Sequence, residues 1–363
     1  MRVGVAGAGL VGAVVARLLA EAGYQVLVVD RGPQPTGAST VPRAAMHPFT
    51  GIRPRWDADE QAAWRHAWSF YLDRAPQAFR GSMWLLRLPP NERTAAIWKS
   101  RFEELPPGAA GVVSWLQSED CHELQAGLSE YAACWGGLLV HEVPFIDVVA
   151  LCSALLEHPG VNRLFGSCWW DEARGVVVEG ASGSDAMADA WVLATGAAQL
   201  PGLTLESPLA PMGGEVLVVE LAGSGAGLRL PRSVSIPAGV IGYRSHITPL
   251  GAGRLMLSAT YDELGRGTVS DGTGRGWLGL LARLAEVMPA LAGQVEVVGA
   301  WSGVRPTPAG VRDGGGARVV PVAESVVWAT GTGSRGLLES PALAAEVLRW
   351  LGAKTTKPPA GAQ

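Results

Sequence analysis

Residues 2–30, RVGVAGAGLVGAVVARLLAEAGYQVLVVD, constrain the fold more than any other stretch of the chain. Val3 to Ala6 form a short apolar run suited to a parallel strand buried on both faces. Gly7, Gly9 and Gly12 follow with the spacing GxGxxG. After such a strand the first glycine permits a tight turn and the second lets the backbone approach a pyrophosphate. The third lets the helix pack closely on the strand. Apolar Val14, Val15, Leu18 and Leu19 mark a helix that should stop near Gly23, a natural C-cap. The unpaired N–H groups of its first turn are suited to phosphate oxygens. The next strand, QVLVVD, ends in Asp30, whose carboxylate suits ribose hydroxyls and repels a 2′-phosphate. GxGxxG alone is a weak signal. With a strand before it, a helix after it and an acid closing the next strand, it specifies a dinucleotide site, for FAD or NAD.

Bulk properties narrow the class. The 363 residues are too many for one small domain and suit two interleaved ones. Hydrophobic residues make up 48% and charged residues 17%, so a large core can be buried. The net charge of −4 comes without a basic stripe, and the arginines are scattered apart from a modest cluster at GIRPRW and WRHAW; this argues against a nucleic-acid binder. Cys121, Cys134, Cys152 and Cys168 form no CxxC and no metal-ligand spacing, so reduced thiols, no metal and a cytoplasmic protein are expected. The apolar start lacks a basic region beyond Arg2 and is broken by glycines, which favours a core strand over a signal peptide. No run of about 20 uninterrupted apolar residues predicts a membrane span. The tail KTTKPPAGAQ, residues 354–363, reads as disordered.

Further along, HEVPFIDVVALCSALLEHPGV predicts a short strand or turn and then a helix, and GVVVEG predicts a strand. DAWVLATGAAQLPG reads as a buried strand ending in Ala194-Thr195-Gly196, either beside a cofactor or as an ordinary strand-to-loop turn. From Pro208 to Trp301, strand-like runs separated by turns surround one helix, GWLGLLARLAEVMPAL, which predicts an antiparallel sheet. The Trp-rich helical stretch from Trp56 to Trp115 is expected to add to it. Finally VVWATGTGSRGLLESP, Val326 to Pro341, repeats the pattern of strand, glycine turn and helix start. The expected fold is α/β, a Rossmann-like dinucleotide domain (1–85, 138–207 and 301–353) interleaved with an α+β antiparallel-sheet substrate domain (86–137 and 208–300).

Taken in order, GAGLVG, the ATG strand, the antiparallel sheet, WSGVRPTPAG and ATGTGSRG resemble the FAD-dependent oxidoreductases of the D-amino-acid oxidase family, which includes glycine and sarcosine oxidases. GASTVPRAAMHP, HITPLGAGRLMLSATYD and GSRGLLESPALAAE look most like the C-terminal oxidoreductase half of the bifunctional enzyme that makes 5-methylaminomethyl-2-thiouridine in tRNA. Asp30 stands where the family commonly has Glu, and His47 where the tRNA enzyme would have tyrosine. The resemblance implies one FAD served by both turns. Gly7, Ala8, Gly9, Leu10, Val11, Gly12, Asp30 and Arg31 would take its pyrophosphate and ribose. Ala38, Ser39, Arg43, Ala45, Met46 and His47 come from the loop after the second strand, and Thr195 and Gly196 from the ATG strand. Gly331, Gly333, Ser334, Arg335 and Gly336 would face the flavin, where the last helix's N-terminus stabilises charge on the reduced ring. The loop follows the tRNA enzyme's pattern, so non-covalent FAD is expected.

The implied reaction moves a hydride from a C–H beside an amine nitrogen to the flavin, and the imine then hydrolyses. Many such substrates carry a carboxylate, which a guanidinium binds through two parallel hydrogen bonds. Arg305 matches the family position for that role and Arg335 is a second candidate; a structural ion pair is the alternative for each. Tyr243 and His246, in GYRSHITP, fall where relatives place a substrate-contacting tyrosine, or they are half-buried sheet residues. A small amine or amino acid is the expected substrate. A carboxymethylaminomethyl uridine in tRNA has the same chemistry and is disfavoured by the overall acidity. The second glycine turn argues against a plain NAD(P) dehydrogenase. The missing Gly-Asp pair near the last strand argues against a flavin monooxygenase. A non-catalytic flavin-binding protein remains open.

Overall fold

The computed structural model describes residues 1–33, 37–49, 57–106, 109, 111–179, 187–204, 209–222, 233–236, 245–260, 262–263, 275–310 and 316–355. Two sheets organise them. The first has six strands in the order Arg318–Ala323, Val326–Thr330, Ala190–Leu193, Arg2–Ala6, Gln25–Asp30 and Val161–Phe165. All pair in parallel except Arg318–Ala323, which is antiparallel to its neighbour. The strands are apolar on both faces because both faces are covered. Val3, Val5, Val26, Val28 and Val192 join one core with the helices Leu10–Glu21, Val148–Leu156 and Gly336–Thr355. Alternate residues Ala6, Leu27, Val29, Leu193 and Trp328 join a second core on the opposite face.

The first helix ends at Glu21, and Gly23 adopts φ 87°, as a C-cap glycine should. The last helix runs to Thr355, two residues into the segment expected to be a tail; the rest of that segment lies outside the described residues. Among the described residues no helix is long and apolar enough to cross a membrane.

The second sheet is mostly antiparallel. Met212–Leu221 pairs with Arg254–Ser258, Asp262–Glu263 and Val295–Arg305, and the sheet continues through Ser245–Gly251 and Ser233–Ile236. Helix Arg275–Val287 covers it, packing Leu280, Leu284 and Val287 with Leu217, Val219, Leu255 and Leu257. Strands Phe79–Arg87 and Gly137–Ile146, most of whose residues the expected division assigns to the first domain, hydrogen-bond into this second sheet. The two-residue period of a strand explains their double allegiance. Leu85, Val140 and Val143 point into the first sheet's core, while Leu86, Leu88 and Leu139 point into the second sheet's core. The wall between the two halves is shared.

Asp147 ties that wall to the helix layer. Its carboxylate accepts the Ala150 N–H at 2.9 Å, capping helix Val148–Leu156, and pairs with Arg80 at 2.8 Å on Phe79–Arg87. Burial pushes its pKa up, but the helix N–H and the Arg80 charge outweigh that and hold it below the ordinary aspartate value. A carboxyl lowered on folding contributes stability in full above its unfolded pKa and loses it as pH falls through its folded pKa. Asp147→Ala should cost about 1 kcal/mol at neutral pH. Asp147→Asn should unfold with a shallower loss of Tm between neutral and acid pH than wild type, as read by thermal melts across that range.

Candidate active site

Three parallel strands, Arg2–Ala6, Ala190–Leu193 and Val326–Thr330, end side by side, and the turns that follow them meet. Gly7 has φ 109°, and a Cβ built on it would lie 2.5 Å from the Ala194 carbonyl oxygen. A Cβ on Gly12 would lie 1.9 Å from the Gly7 carbonyl oxygen. Side chains at either position would push the helix off the strands. The N-terminus of the first helix is thereby held over the crevice at the strand ends, where open α/β sheets bind ligands. The last strand joins in through Thr330, whose hydroxyl donates to the Gly196 carbonyl at 3.3 Å. The Thr195 hydroxyl donates to the Ala198 carbonyl. Gly333 N–H donates to the Pro306 carbonyl at 3.0 Å, which fixes the second glycine turn beside the segment that carries Arg305.

The loop after the second strand closes over this crevice. Ser39 Oγ accepts the Leu10 N–H at 2.9 Å, and Thr40 Oγ1 accepts the Trp301 indole N–H at 2.6 Å. Arg43 donates to the Pro249 carbonyl at 3.1 Å. One short loop therefore touches the first helix's N-terminus and two strands of the second sheet.

These elements enclose a cavity of about 920 Å³. Of the residues marked by the sequence, it is lined by Gly7, Gly9, Leu10, Val11, Asp30, Arg31, Ala38, Ser39, Arg43, Ala45, Met46 and His47. Thr195, Gly196, Gly333, Ser334, Arg335, Gly336, His246 and Arg305 line it as well. Ala8, Gly12 and Gly331 stand behind its wall: Ala8 and Gly12 are buried in the first turn, and Gly331 packs on the Gly316 carbonyl. Tyr243 lies outside the described residues.

Charge in the cavity is lopsided, with five arginines (31, 43, 87, 305 and 335) and one carboxylate, Asp30, among its described lining residues. Arg335 is held by carboxylates, Glu60 at 2.5 Å and Glu339 at 2.9 Å. Burial raises the Glu339 pKa against the pull of that guanidinium. The guanidinium of Arg305 lies across Gly214, where a Cβ would come within 2.6 Å of Nη2, and Nη1 donates to the Thr260 carbonyl at 3.4 Å. His47 is buried in the cavity wall. Burial first, then the neighbouring Arg87, His246 and Arg335, hold its pKa well below the ordinary imidazole value. The buried thiols of Cys121 and Cys152 are pushed up to about 12 by burial, which makes them inert.

The sequence reading missed Arg87. It is 2% exposed, lines the cavity and stacks its guanidinium 4.8 Å from the centre of the Trp98 ring. The available signal was a lone arginine inside the apolar run MWLLRLPP. Gly214 was also missed, because its role depends on a side chain from a neighbouring strand.

The strand ends at the cavity offer a place for the diphosphate of a flavin dinucleotide. The first helix has no acid in its first turn and no side-chain cap from its own N-cap residue, Gly9, so its positive end is open to a diphosphate. The Asp30 carboxylate closes the neighbouring strand beside it and accepts the Ala8 N–H at 2.5 Å. These residues fit the group.

Fold and site together define a dinucleotide-binding oxidoreductase with a second sheet built over the reacting end. A family profile described as FAD dependent oxidoreductase (DAO) matches residues 2–350, and the chain belongs to that family. It is therefore an FAD-dependent enzyme. No curated protein matches the sequence. Among solved structures, glycine oxidase from Geobacillus kaustophilus superposes with TM-score 0.74 at 23% identity, covering 97% of this chain and 95% of that one. Iminodiacetate oxidase from Chelativorans sp. BNC1 gives TM-score 0.74 at 20% identity, with 97% and 95% covered. L-alpha-glycerophosphate oxidase from Mycoplasma pneumoniae, solved with FAD bound, gives 0.74 at 18% identity, with 99% and 96% covered.

Losing the hydrogen bonds of a charged acceptor costs about 1.5–3 kcal/mol. Asp30→Ala should therefore weaken FAD binding by about 10- to 100-fold. Release of fluorescent flavin on dilution, compared with wild type, measures this directly.

Proposed function

We propose that this chain oxidises the C–N bond of a small amine or α-amino acid that carries a carboxylate. The observation that supports it most is the placement of Arg305. Its guanidinium lies across Gly214 in the cavity that both glycine turns line, and Gly333 is hydrogen-bonded to the residue that follows it, Pro306. The glycine oxidase and iminodiacetate oxidase structures share the fold, and their names speak of the same substrate class.

Bound FAD supplies the two-electron acceptor. The protein's own part is to hold and orient the substrate. Arg305 would take the carboxylate through two parallel hydrogen bonds and fix the carbon that loses its hydride. The electron pair on the substrate nitrogen forms a C=N bond as the hydride leaves, and water then hydrolyses the imine to a carbonyl compound and an amine. Arg335, committed to Glu60 and Glu339, would brace the second turn between the last helix and helix Ala58–Arg74 rather than hold substrate. His246 shares the cavity and would help shape the substrate end. The four unpaired thiols suit a reducing compartment and support a cytoplasmic location.

The purified protein should show flavin absorption bands, and acid precipitation should leave the yellow colour in solution. Anaerobic addition of a panel of amines and amino acids should bleach those bands with one class of compound. Bleaching only by tRNA bearing carboxymethylaminomethyl uridine would transfer the proposal to that substrate. Arg305→Ala should keep its FAD and raise the KM for a carboxylate substrate by about 10- to 100-fold. Unchanged turnover and KM in that variant would remove Arg305 from the mechanism.

A further inference from the structure

Ser258 stands on the cavity face of the second sheet. Along the central strands of that sheet, alternate side chains face opposite ways. Leu217, Leu257 and Ile247 join the core under helix Arg275–Val287, while their neighbours Val216, Ser258 and His246 line the cavity. The strand register places Ser258 among them. It lies directly opposite Val216 on one neighbouring strand and His246 on the other. Gly214, two residues before Val216 on the same face, is its diagonal neighbour, and such neighbours lie about 7–8 Å apart. The Arg305 guanidinium rests over that glycine: a Cβ on Gly214 would lie 2.6, 2.7 and 2.8 Å from Nη2, Nη1 and Cζ. Ser258 is half-buried, and its hydroxyl has no hydrogen-bond partner among the described residues. Whereas ring and guanidinium nitrogens of His47 and Arg87 are fully enclosed, this oxygen faces the cavity.

We propose that Ser258 holds the substrate nitrogen, its hydroxyl oxygen accepting an N–H while the carboxylate lies on Arg305. The inference rests on the amine-oxidation reading above and adds to it the residue that fixes the nitrogen. An α-amino acid has its nitrogen about 2.5 Å from its carboxyl carbon. With a hydrogen bond of about 2.9 Å at each end, it bridges the diagonal from Gly214 to Ser258. Two such contacts fix a line through the substrate, and the carbon between them, which loses its hydride, keeps only rotation about that line. A hydroxyl accepts from an ammonium and from an amine alike, so the contact asks for no particular protonation state. An amine without a carboxylate makes only the weaker contact, and a carboxylic acid without an amine only the stronger. The site therefore selects compounds that carry both groups.

The test uses the FAD-loaded enzyme without oxygen and two probes of one carbon skeleton. One is the panel amino acid that bleaches the flavin; the other is the carboxylic acid lacking its amine, as acetate is to glycine. Affinity for the amino acid is read from the concentration dependence of bleaching, and for the acid from its perturbation of the flavin spectrum. Ser258→Ala should weaken the amino acid about three- to tenfold and leave the acid within about twofold, with FAD retained. Ser258→Thr, which keeps a hydroxyl, should recover part of the loss. Arg305→Ala, by contrast, should weaken both probes. Equal weakening of both probes by Ser258→Ala, weakening of neither, or loss of FAD overturns the inference. Should Ser258→Ala fail to fold, Ser258→Cys, close in volume and a poor acceptor, decides by the same two readings. If no amine or amino acid bleaches the wild-type flavin, the amine reading itself fails, a result distinct from all of these.

Discussion

The architecture depends on a contact made between backbones with no side chain between them. Gly12 of the first helix rests on the carbonyl of Gly7, and Gly7 rests on the carbonyl of Ala194. A single methyl group at either place would overlap a carbonyl oxygen. Because the contact is this close, helix and strand ends share one point in space, and the positive end of the helix sits at the floor of the crevice. The second turn reaches the same point from the other end of the chain through Thr330 and Gly196. Two glycine turns far apart in sequence thus line one cavity.

Around that point the protein spends its side chains on positive charge. Burying a guanidinium is costly unless something meets it. Arg335 is met by two carboxylates and Arg87 by the face of Trp98. Arg305 is given room by the missing side chain at Gly214 and a carbonyl from Thr260. An anion that enters such a cavity meets charges whose desolvation was completed when the chain folded. The interaction is therefore stronger than it would be at a wet surface. The same field acts on every titratable neighbour, and His47 registers it.

How much of this could be read from the sequence varies with the range of the interaction. The first βαβ unit was legible because its determinants are local: the GxGxxG spacing, the apolar runs and Asp30 lie within thirty residues. The antiparallel sheet and its helix were legible from periodicity between Pro208 and Trp301. Membership of Phe79–Arg87 and Gly137–Ile146 in the second sheet was not, because their alternating residues feed two different cores and both faces read as apolar. The two carboxylates on Arg335 were equally hidden. Glu339 is four residues on, in the first turn of the last helix, but Glu60 comes from 275 residues earlier, and no local pattern joins them. Arg87 and Gly214 acquire meaning only once neighbouring strands are in place.

The strand order has a consequence for how the molecule is made. Arg2–Ala6 is made well before its neighbour Ala190–Leu193, and four strands of the second sheet come between them. At ribosomal speeds of about 5–20 residues per second the wait lasts roughly ten to forty seconds. Through that interval the apolar edge of the first strand has no partner on one side, and unpaired edges of that kind invite aggregation. Val326–Thr330, the outer neighbour, arrives later still. The half-made fold is thus exposed to aggregation by virtue of its topology, whatever the stability of the finished enzyme.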